Sequence, residues 1–148
     1  MDISGDRTTL IDSLVSKYLD ISAYLQIPDG FELKNVISAR IAVPADWITL
    51  GNGSNDILEL AARAVAQAGD EVIFSKHAFA VYPLATQAVG AKAVEVAATS
   101  IYGHDLPAML AAIKASGDKA KLVFVANPNN PTGSYLSAKE IEDFLVAV

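Results

Sequence analysis

The sequence predicts an α/β protein with a mainly parallel sheet flanked by helices. Three strongly apolar segments, EVIFS, KAVEVAA and KLVFVAN, alternate with segments of helical periodicity in the second half of the chain. Strands that alternate with helices are typical of βαβ units, in which each helix leads from one parallel strand to the next. Hydrophobic residues make up 52% of the 148 positions, which is enough for a sizeable core.

Earlier in the chain the periodicity is mainly helical. Apolar residues at helical spacing predict helices over residues 9–25 and 31–41, separated by the turn IPDG. WITL, residues 47–50, predicts a short strand. The segment ILELAARAVAQAG then predicts a helix that stops at Gly69, because glycine is well suited to a helix C-terminus.

Two later helices carry start signals. Asp105 precedes LPAMLAAIKASG and is the expected N-cap, while Ser137 and Glu140 have the spacing of a capping box before the last helix. A further helix is expected in AFAVYPLATQAVG, between the first two strands of the alternating region. The sequence contains no linker-like or repetitive stretch that would separate these elements into different domains.

Composition and charge disfavour several classes of function. The net charge is -6 and Lys and Arg do not cluster, which disfavours nucleic-acid binding. The chain has no cysteine and only two histidines, His77 and His104, so neither a disulfide framework nor a zinc site is expected. There is no signal-peptide pattern and no run of about 20 apolar residues, so we expect a cytoplasmic protein that does not enter a membrane.

The turn GNGSND, residues 51–56, lies directly before a predicted helix. Its glycines can take positive φ, and Ser54 and Asn55 would stand at the helix N-terminus, where free N–H groups suit a phosphate. An ordinary turn with a capping Ser or Asn gives the same pattern and is the more common case. The turn has neither a P-loop lysine nor the GxGxxG spacing, so the pattern alone gives little support to nucleotide binding.

The turn ANPNNPTG, residues 126–133, follows the most hydrophobic strand. Ligands commonly bind at the carboxyl edge of an open α/β sheet, and Pro128 and Pro131 restrict the backbone around the asparagines. Asn130, directly before a proline, would offer its amide in a defined direction as a neutral donor for a ligand oxygen. The alternative is a rigid turn whose asparagines bond their own backbone. Two X-Pro pairs at a strand end favour the binding interpretation.

SKHAFAVY, residues 75–82, opens on the same edge after the strand EVIFS. Phe79 and Tyr82 are three residues apart and are expected to share one helical face. An aromatic ring here either stacks on a planar ligand or belongs to the core, and the core is the more common place. His77 and His104 have no carboxylate or nucleophile at a telling spacing and are expected to be surface or capping residues.

Together, the segments NGSND, FAVYPLATQAVGA, YGHDL with AMLAAI, and ANPNNPTG resemble the pyridoxal-phosphate-dependent aminotransferases of fold type I, and among them the histidinol-phosphate aminotransferases. NPTG is shared across aminotransferases, whereas the ordered set is far more specific. The resemblance extends over residues 28–148. It implies that this range is part of a pyridoxal-phosphate-binding large domain, truncated at its C-terminal end, and that residues 1–27 are a helical segment that matches the family poorly.

The resemblance implies a cofactor role for four residues. Ser54 and Asn55 match the positions at which the family binds the cofactor phosphate on a helix N-terminus. Phe79 matches an aromatic residue, usually tyrosine, that stacks on the pyridine ring. Asn130 matches the asparagine that hydrogen-bonds the cofactor's ring oxygen.

Several family features are missing from the sequence, among them a tyrosine and a lysine. The tyrosine that reaches the partner subunit's cofactor phosphate is replaced by Ile27, with Tyr24 three residues earlier. The lysine that carries the cofactor lies well after NPTG in the family, and no lysine from Lys17 to Lys139 matches it. Aminotransfer requires that amine. We therefore expect no catalytic residue in this sequence and no transaminase activity from it alone.

For the complete protein the resemblance implies amino-group transfer between glutamate and imidazole-acetol phosphate in histidine synthesis, carried out by a homodimer on small-molecule substrates. Other aminotransferases and amino-acid phosphate decarboxylases share NPTG, and function does not follow from fold. The alternative from a different class is a non-catalytic remnant or interaction module that binds phosphate weakly or not at all.

Overall fold

A computed structural model describes residues 30–148 of the chain. The chain divides into two compact units, Met1–Leu50 and Gly51–Val148. In the first unit, α1 spans Phe31–Ile41 and confirms the predicted helix at these residues. The other predicted helix, over residues 9–25, and most of the IPDG turn lie outside the described residues, as do Tyr24 and Ile27.

The predicted strand at residues 47–50 is wrong. A 3-10 turn covers Ala45–Trp47, and the Ile48 amide donates to the Ala45 carbonyl at 3.2 Å. A strand needs a neighbour that bonds its backbone groups, and none of the described strands pairs with this segment. The Trp47 side chain is 78% exposed in this turn, so the apolar character of the segment does not reflect burial of this side chain.

The second unit alternates helices and strands. Its elements are α2 (Ser54–Val65), β1 (Glu71–Ser75), α3 (Val81–Ala88), β2 (Lys92–Val96), α4 (Leu106–Ser116), β3 (Ala120–Phe124) and α5 (Ala138–Ala147). The strands form a parallel sheet in the order β2-β1-β3, with β1 in the centre. The predicted α/β class, with a parallel sheet and flanking helices, is confirmed. β1 matches its predicted segment, β2 ends two residues earlier than predicted, and β3 begins one residue earlier and ends three residues earlier.

Helices cover both faces of the sheet. Along β1, Val72 and Phe74 point into one apolar cluster, to which α3 contributes Tyr82. Between them in sequence, Ile73 points to the opposite face and packs in a second cluster with Met109 of α4 and other residues, including Phe144 of α5. Successive side chains of a strand point to opposite faces, so the continuous apolar run of β1 reflects a strand that is buried on both sides.

Helix α2 ends at Val65, four residues before the predicted stop at Gly69. Ala66, the C-terminal flanking residue, is already extended. Beyond it the Asp70 carboxylate accepts from the Gln67 amide at 2.9 Å, which closes a local turn. Such side-chain bonds to nearby backbone compete with helix continuation. Gly69 lies inside this turn with φ 97°.

The predicted start signals of α4 and α5 are confirmed. Asp105 Oδ1 accepts from the Ala108 amide at 3.0 Å. At α5, Ser137 Oγ accepts from the Glu140 amide at 3.3 Å, and the Glu140 carboxylate accepts from the Ser137 amide at 2.8 Å. These reciprocal bonds form a capping box. Helix α3 is confirmed in position but begins only at Val81, later than the predicted segment.

The capping box of α5 should make stability depend on pH. Hydrogen bonds from the Ser137 hydroxyl and amide lower the pKa of the Glu140 carboxyl. Because the folded-state pKa is the lower one, the stabilisation is present above the unfolded-state pKa and is lost as the pH falls through the folded-state pKa. We expect the melting temperature of Glu140→Gln to fall less than that of the parent protein when the pH is lowered from neutral to acidic. Glu142→Gln, outside the box on the same helix, should keep the parent's acid dependence; identical curves for both variants would contradict this account.

Candidate functional site

The topology places all four predicted site residues at one edge of the sheet. The strands are parallel, so their carboxyl ends meet at that edge. Helix α2 leads into the amino end of β1 and α3 leaves from the carboxyl end of β1, so the N-termini of both helices lie at the carboxyl edge. Ser54 and Asn55 begin α2, Phe79 precedes α3, and Asn130 follows β3.

The N-terminus of α2 is open to a ligand. Its N-cap is Gly53, at φ 92° and ψ 178°, a backbone conformation that strains other residues. Ser54 and Asn55 are exposed, and their side chains form no hydrogen bond with the described residues. The alternative in which one of them caps the helix is therefore wrong. The Asp56 carboxylate is held by the amide and side chain of Asn52, at 2.8 and 3.0 Å.

Phe79 is half-buried and joins the apolar cluster on the α2 and α3 face. It lies before α3, so the expected shared helical face with Tyr82 is wrong. The two rings nevertheless contact each other edge-on, with their centroids 6.0 Å apart and their planes at 89°. Burial also raises the pKa of the Tyr82 hydroxyl. Leu58, one turn after Ser54, packs on the same cluster. Phe79 and α2 thus pack against the same apolar cluster.

The three asparagines of the ANPNNPTG turn have three different environments. Asn127 bonds the backbone of Leu136 twice, as donor to its carbonyl at 2.9 Å and as acceptor from its amide at 2.8 Å. Asn129 is buried, whereas Asn130 is exposed and makes no side-chain hydrogen bond with the described residues. Both X-Pro peptide bonds are cis. Its two bonds to Leu136 give Asn127 the rigid-turn role, whereas the side-chain amide of Asn130 has no partner among the described residues.

Asn129 was not singled out from the sequence. Its Nδ2 donates to the His77 carbonyl at 3.3 Å and to Thr132 Oγ1 at 2.9 Å. Its Oδ1 is buried and has no donor among the described residues, which costs about 1–3 kcal/mol. The sequence signal that was available is its place between the two prolines, which it shares with Asn130.

The surface or capping prediction is wrong for His104, which is 5% exposed. Its Nε2 lies 2.9 Å from the Ala126 carbonyl and its Nδ1 2.7 Å from Ser75 Oγ. Since a carbonyl only accepts, Nε2 carries a hydrogen and donates it to Ala126. His104 thereby joins the ends of β1 and β3. His77 is exposed, as predicted, and its ring contacts that of Tyr102 edge-on at 5.3 Å.

An open, largely apolar cleft of about 430 Å³ lies between α4 and α5, on the face opposite α2 and α3. Residues 30–148 hold no group of three His, Cys, Asp or Glu side chains suited to a metal ion. Every helix in this range is too short or too polar to cross a bilayer.

A sequence profile of the class I and II aminotransferases matches residues 23–148. The chain belongs to this family. It is 56% identical over 130 residues to histidinol-phosphate aminotransferase 2 of Ralstonia nicotianae, covering 86% of this chain and 34% of that protein. It is 54% identical over 120 residues to histidinol-phosphate aminotransferase 1 of Cupriavidus pinatubonensis, covering 81% of this chain and 31% of that protein.

A solved structure supports the same family and fold. Histidinol-phosphate aminotransferase from Sinorhizobium meliloti, in complex with pyridoxal-5'-phosphate, matches with a TM-score of 0.75 and 28% identity. The match covers 82% of this chain and 32% of that one. The resemblance read from the motifs is confirmed, as is the assignment to part of the fold of these aminotransferases. The chain spans about a third of the length of the curated relatives it matches.

Proposed function

We propose that this chain supplies cofactor-binding residues for pyridoxal 5'-phosphate in a histidinol-phosphate aminotransferase. The observation that supports the proposal is that the element order puts two open polar sites at the same edge of the sheet. These sites are the N-terminus of α2 with Ser54 and Asn55, and the amide of Asn130. The relatives named as histidinol-phosphate aminotransferases, and the solved neighbour that contains the cofactor, support it.

Ser54 and Asn55 suit a phosphate group. The first N–H groups of a helix have no partner within the helix, and the helix dipole favours an anion there. The hydroxyl of Ser54 and the amide of Asn55 add donors beside them. The carboxylate of Asp56 would repel a phosphate. It accepts hydrogen bonds from Asn52, however, so it competes less for the free N–H groups of the helix.

Phe79 and Asn130 suit the ring of the same ligand. The Asn130 amide is a neutral donor, and an ionised ring oxygen would accept a hydrogen bond from it. Phe79 provides an aromatic surface for a planar ring, and its contact with Tyr82 holds it in place. The neighbouring ring of Tyr82 is in turn stacked on Phe124 of β3 at 4.5 Å. The sheet core thus supports the loop that carries the stacking residue.

When bound, pyridoxal phosphate supplies the electron sink for amino-group transfer. The residues of this chain would bind and orient it, and we assign none of them a catalytic role. For the complete protein we propose amino transfer between glutamate and imidazole-acetol phosphate, by a cytoplasmic homodimer acting on small amino-acid and phosphate substrates.

Asn130→Ala tests the ring contact. One hydrogen bond to a charged group is worth about 1.5–3 kcal/mol, so we expect roughly tenfold to hundredfold weaker binding. The ligand for the titration is 4-deoxypyridoxine 5'-phosphate, which has the ring, its hydroxyl and the phosphate but no aldehyde that would react with surface lysines. Its intrinsic fluorescence reports binding.

Asn127→Ala is the matched control, because it removes an asparagine of the same turn that bonds only the backbone of Leu136. It should keep an affinity close to that of the parent. An Asn130→Ala variant that binds as tightly as the parent would remove Asn130 from the site. A parent protein that does not bind the ligand would contradict the proposed function and favour a non-catalytic role.

A further inference from the structure

A single buried side chain connects the two loops that carry the proposed ring contacts. Asn129 Nδ2 donates to the His77 carbonyl, from the loop after β3 to the loop after β1. His77 is two residues before Phe79, and Asn129 is directly before Asn130. The bond therefore links the backbone next to Phe79, the proposed stacking ring, with the backbone next to Asn130, the proposed donor to the ring oxygen. Few covalent bonds separate it from either residue.

The same amide also reaches the loop after β2. Its second acceptor, Thr132 Oγ1, lies 3.2 Å from the Tyr102 carbonyl and donates to it. Ser134 Oγ donates to that carbonyl as well, at 3.3 Å. In contrast, the side chain of Asn127 bonds only Leu136 within its own turn. Among the asparagines of this turn, Asn129 is the one whose side chain bonds another loop.

The unpaired Oδ1 of Asn129 indicates that this side chain does more than fill space in the core. A side chain that only filled a 2% exposed space would be apolar, because a buried acceptor without a donor is costly. The amide cannot turn over, since Oδ1 would then face the His77 carbonyl, which is also an acceptor. Of the two Nδ2 hydrogens, one is thus committed to the bond with His77 in the other loop, and the second to Thr132 in the same turn.

We propose that Asn129 is a positioning residue that sets the separation between the Phe79 ring and the Asn130 amide for the bound ligand. The inference rests on the proposed function, since it concerns the same site. It assigns Asn129 no contact with the cofactor. Its effect on binding is exerted through the backbone of His77 and of Asn130.

The test compares Asn129→Ala and the near-isosteric Asn129→Asp with Asn127→Ala. Each is titrated with 4-deoxypyridoxine 5'-phosphate, and the induced circular dichroism of the saturated complex is recorded in the ligand's own absorption band. We expect both Asn129 variants to bind roughly tenfold more weakly, the equivalent of one neutral hydrogen bond. Their induced signal should change because the ring is oriented differently. Asn127→Ala should keep the parent's signal.

Thermal melting separates positioning from stability. If the Asn129 variants melt earlier but keep the parent's affinity and induced signal, Asn129 only stabilises the fold and the proposal is overturned. That result leaves the proposed function intact, whereas a parent that does not bind overturns both. One measurement needs no variant: in the parent complex the Asn129 Nδ2 protons should resist exchange with solvent. Rapid exchange there would overturn the proposal.

Discussion

Replacing Ser54 and Asn55 together by alanine is expected to weaken binding of 4-deoxypyridoxine 5'-phosphate by about 100-fold. Each side chain would donate one hydrogen bond to a charged phosphate, and a loss of about 1.4 kcal/mol per bond is tenfold in affinity. The free N–H groups and the dipole of α2 remain, so binding should be weakened and not abolished. Titration with 4-deoxypyridoxine, which lacks the phosphate, should show no such difference between parent and variant.

Ser137→Ala is the control for this double variant. Ser137 also stands at a helix N-terminus, but it caps α5 and its hydroxyl is bonded to Glu140. We expect it to lower stability by about 1 kcal/mol, as loss of an N-cap does, and to leave ligand affinity unchanged. An unchanged affinity in the Ser54 and Asn55 double variant, or an equal loss in the control, would place the phosphate elsewhere.

Ile73→Ala is expected to destabilise the second unit by about 2–5 kcal/mol. Ile73 is fully buried in the central strand and lies in one cluster with Met109, Val96 and Phe144, drawn from α4, β2 and α5. The lost contacts leave a cavity that the surrounding sheet and helices cannot readily fill. Equilibrium unfolding in urea, followed by far-ultraviolet circular dichroism, measures the change.

The matched control for Ile73→Ala is Val146→Ala. Val146 is also aliphatic but is 84% exposed on α5, and substitutions at such positions usually change stability by less than about 0.5 kcal/mol. A loss below about 1 kcal/mol for Ile73→Ala, well under the usual range for buried residues, would contradict the packing described for the second cluster.

The sheet and the starts of α4 and α5 could be predicted from the sequence because their causes are local. Neighbouring residues determine the apolar runs of the three strands and the caps at Asp105 and Ser137. Residues 47–50 read as a strand by the same criterion, yet a strand also needs a partner, and the described residues provide none. The end of α2 depends on the Asp70 carboxylate, whose competing bond is not visible in helical periodicity.

The candidate site was only partly predictable for a similar reason. The strand-to-loop positions of Phe79 and Asn130 follow from chain order, so their common edge could be inferred. The roles of Asn127 and Asn129 differ because of contacts with Leu136 and His77, and the second of these is 52 residues distant in sequence. His104 has the sequence context of a surface residue because its partners are distant in sequence: Ser75 at the end of β1 and Ala126 after β3. Such contacts are set by tertiary structure.

The most direct test of the proposed site is a titration of the ¹⁵N-labelled protein with 4-deoxypyridoxine 5'-phosphate, followed by backbone amide shifts. We predict that the shifts saturate together at three places: residues 53–57 at the start of α2, residues 77–80 after β1 and residues 129–133 after β3. Saturable shifts confined to the cleft between α4 and α5, or no saturable shift at all, would contradict a cofactor site at the carboxyl edge of the sheet.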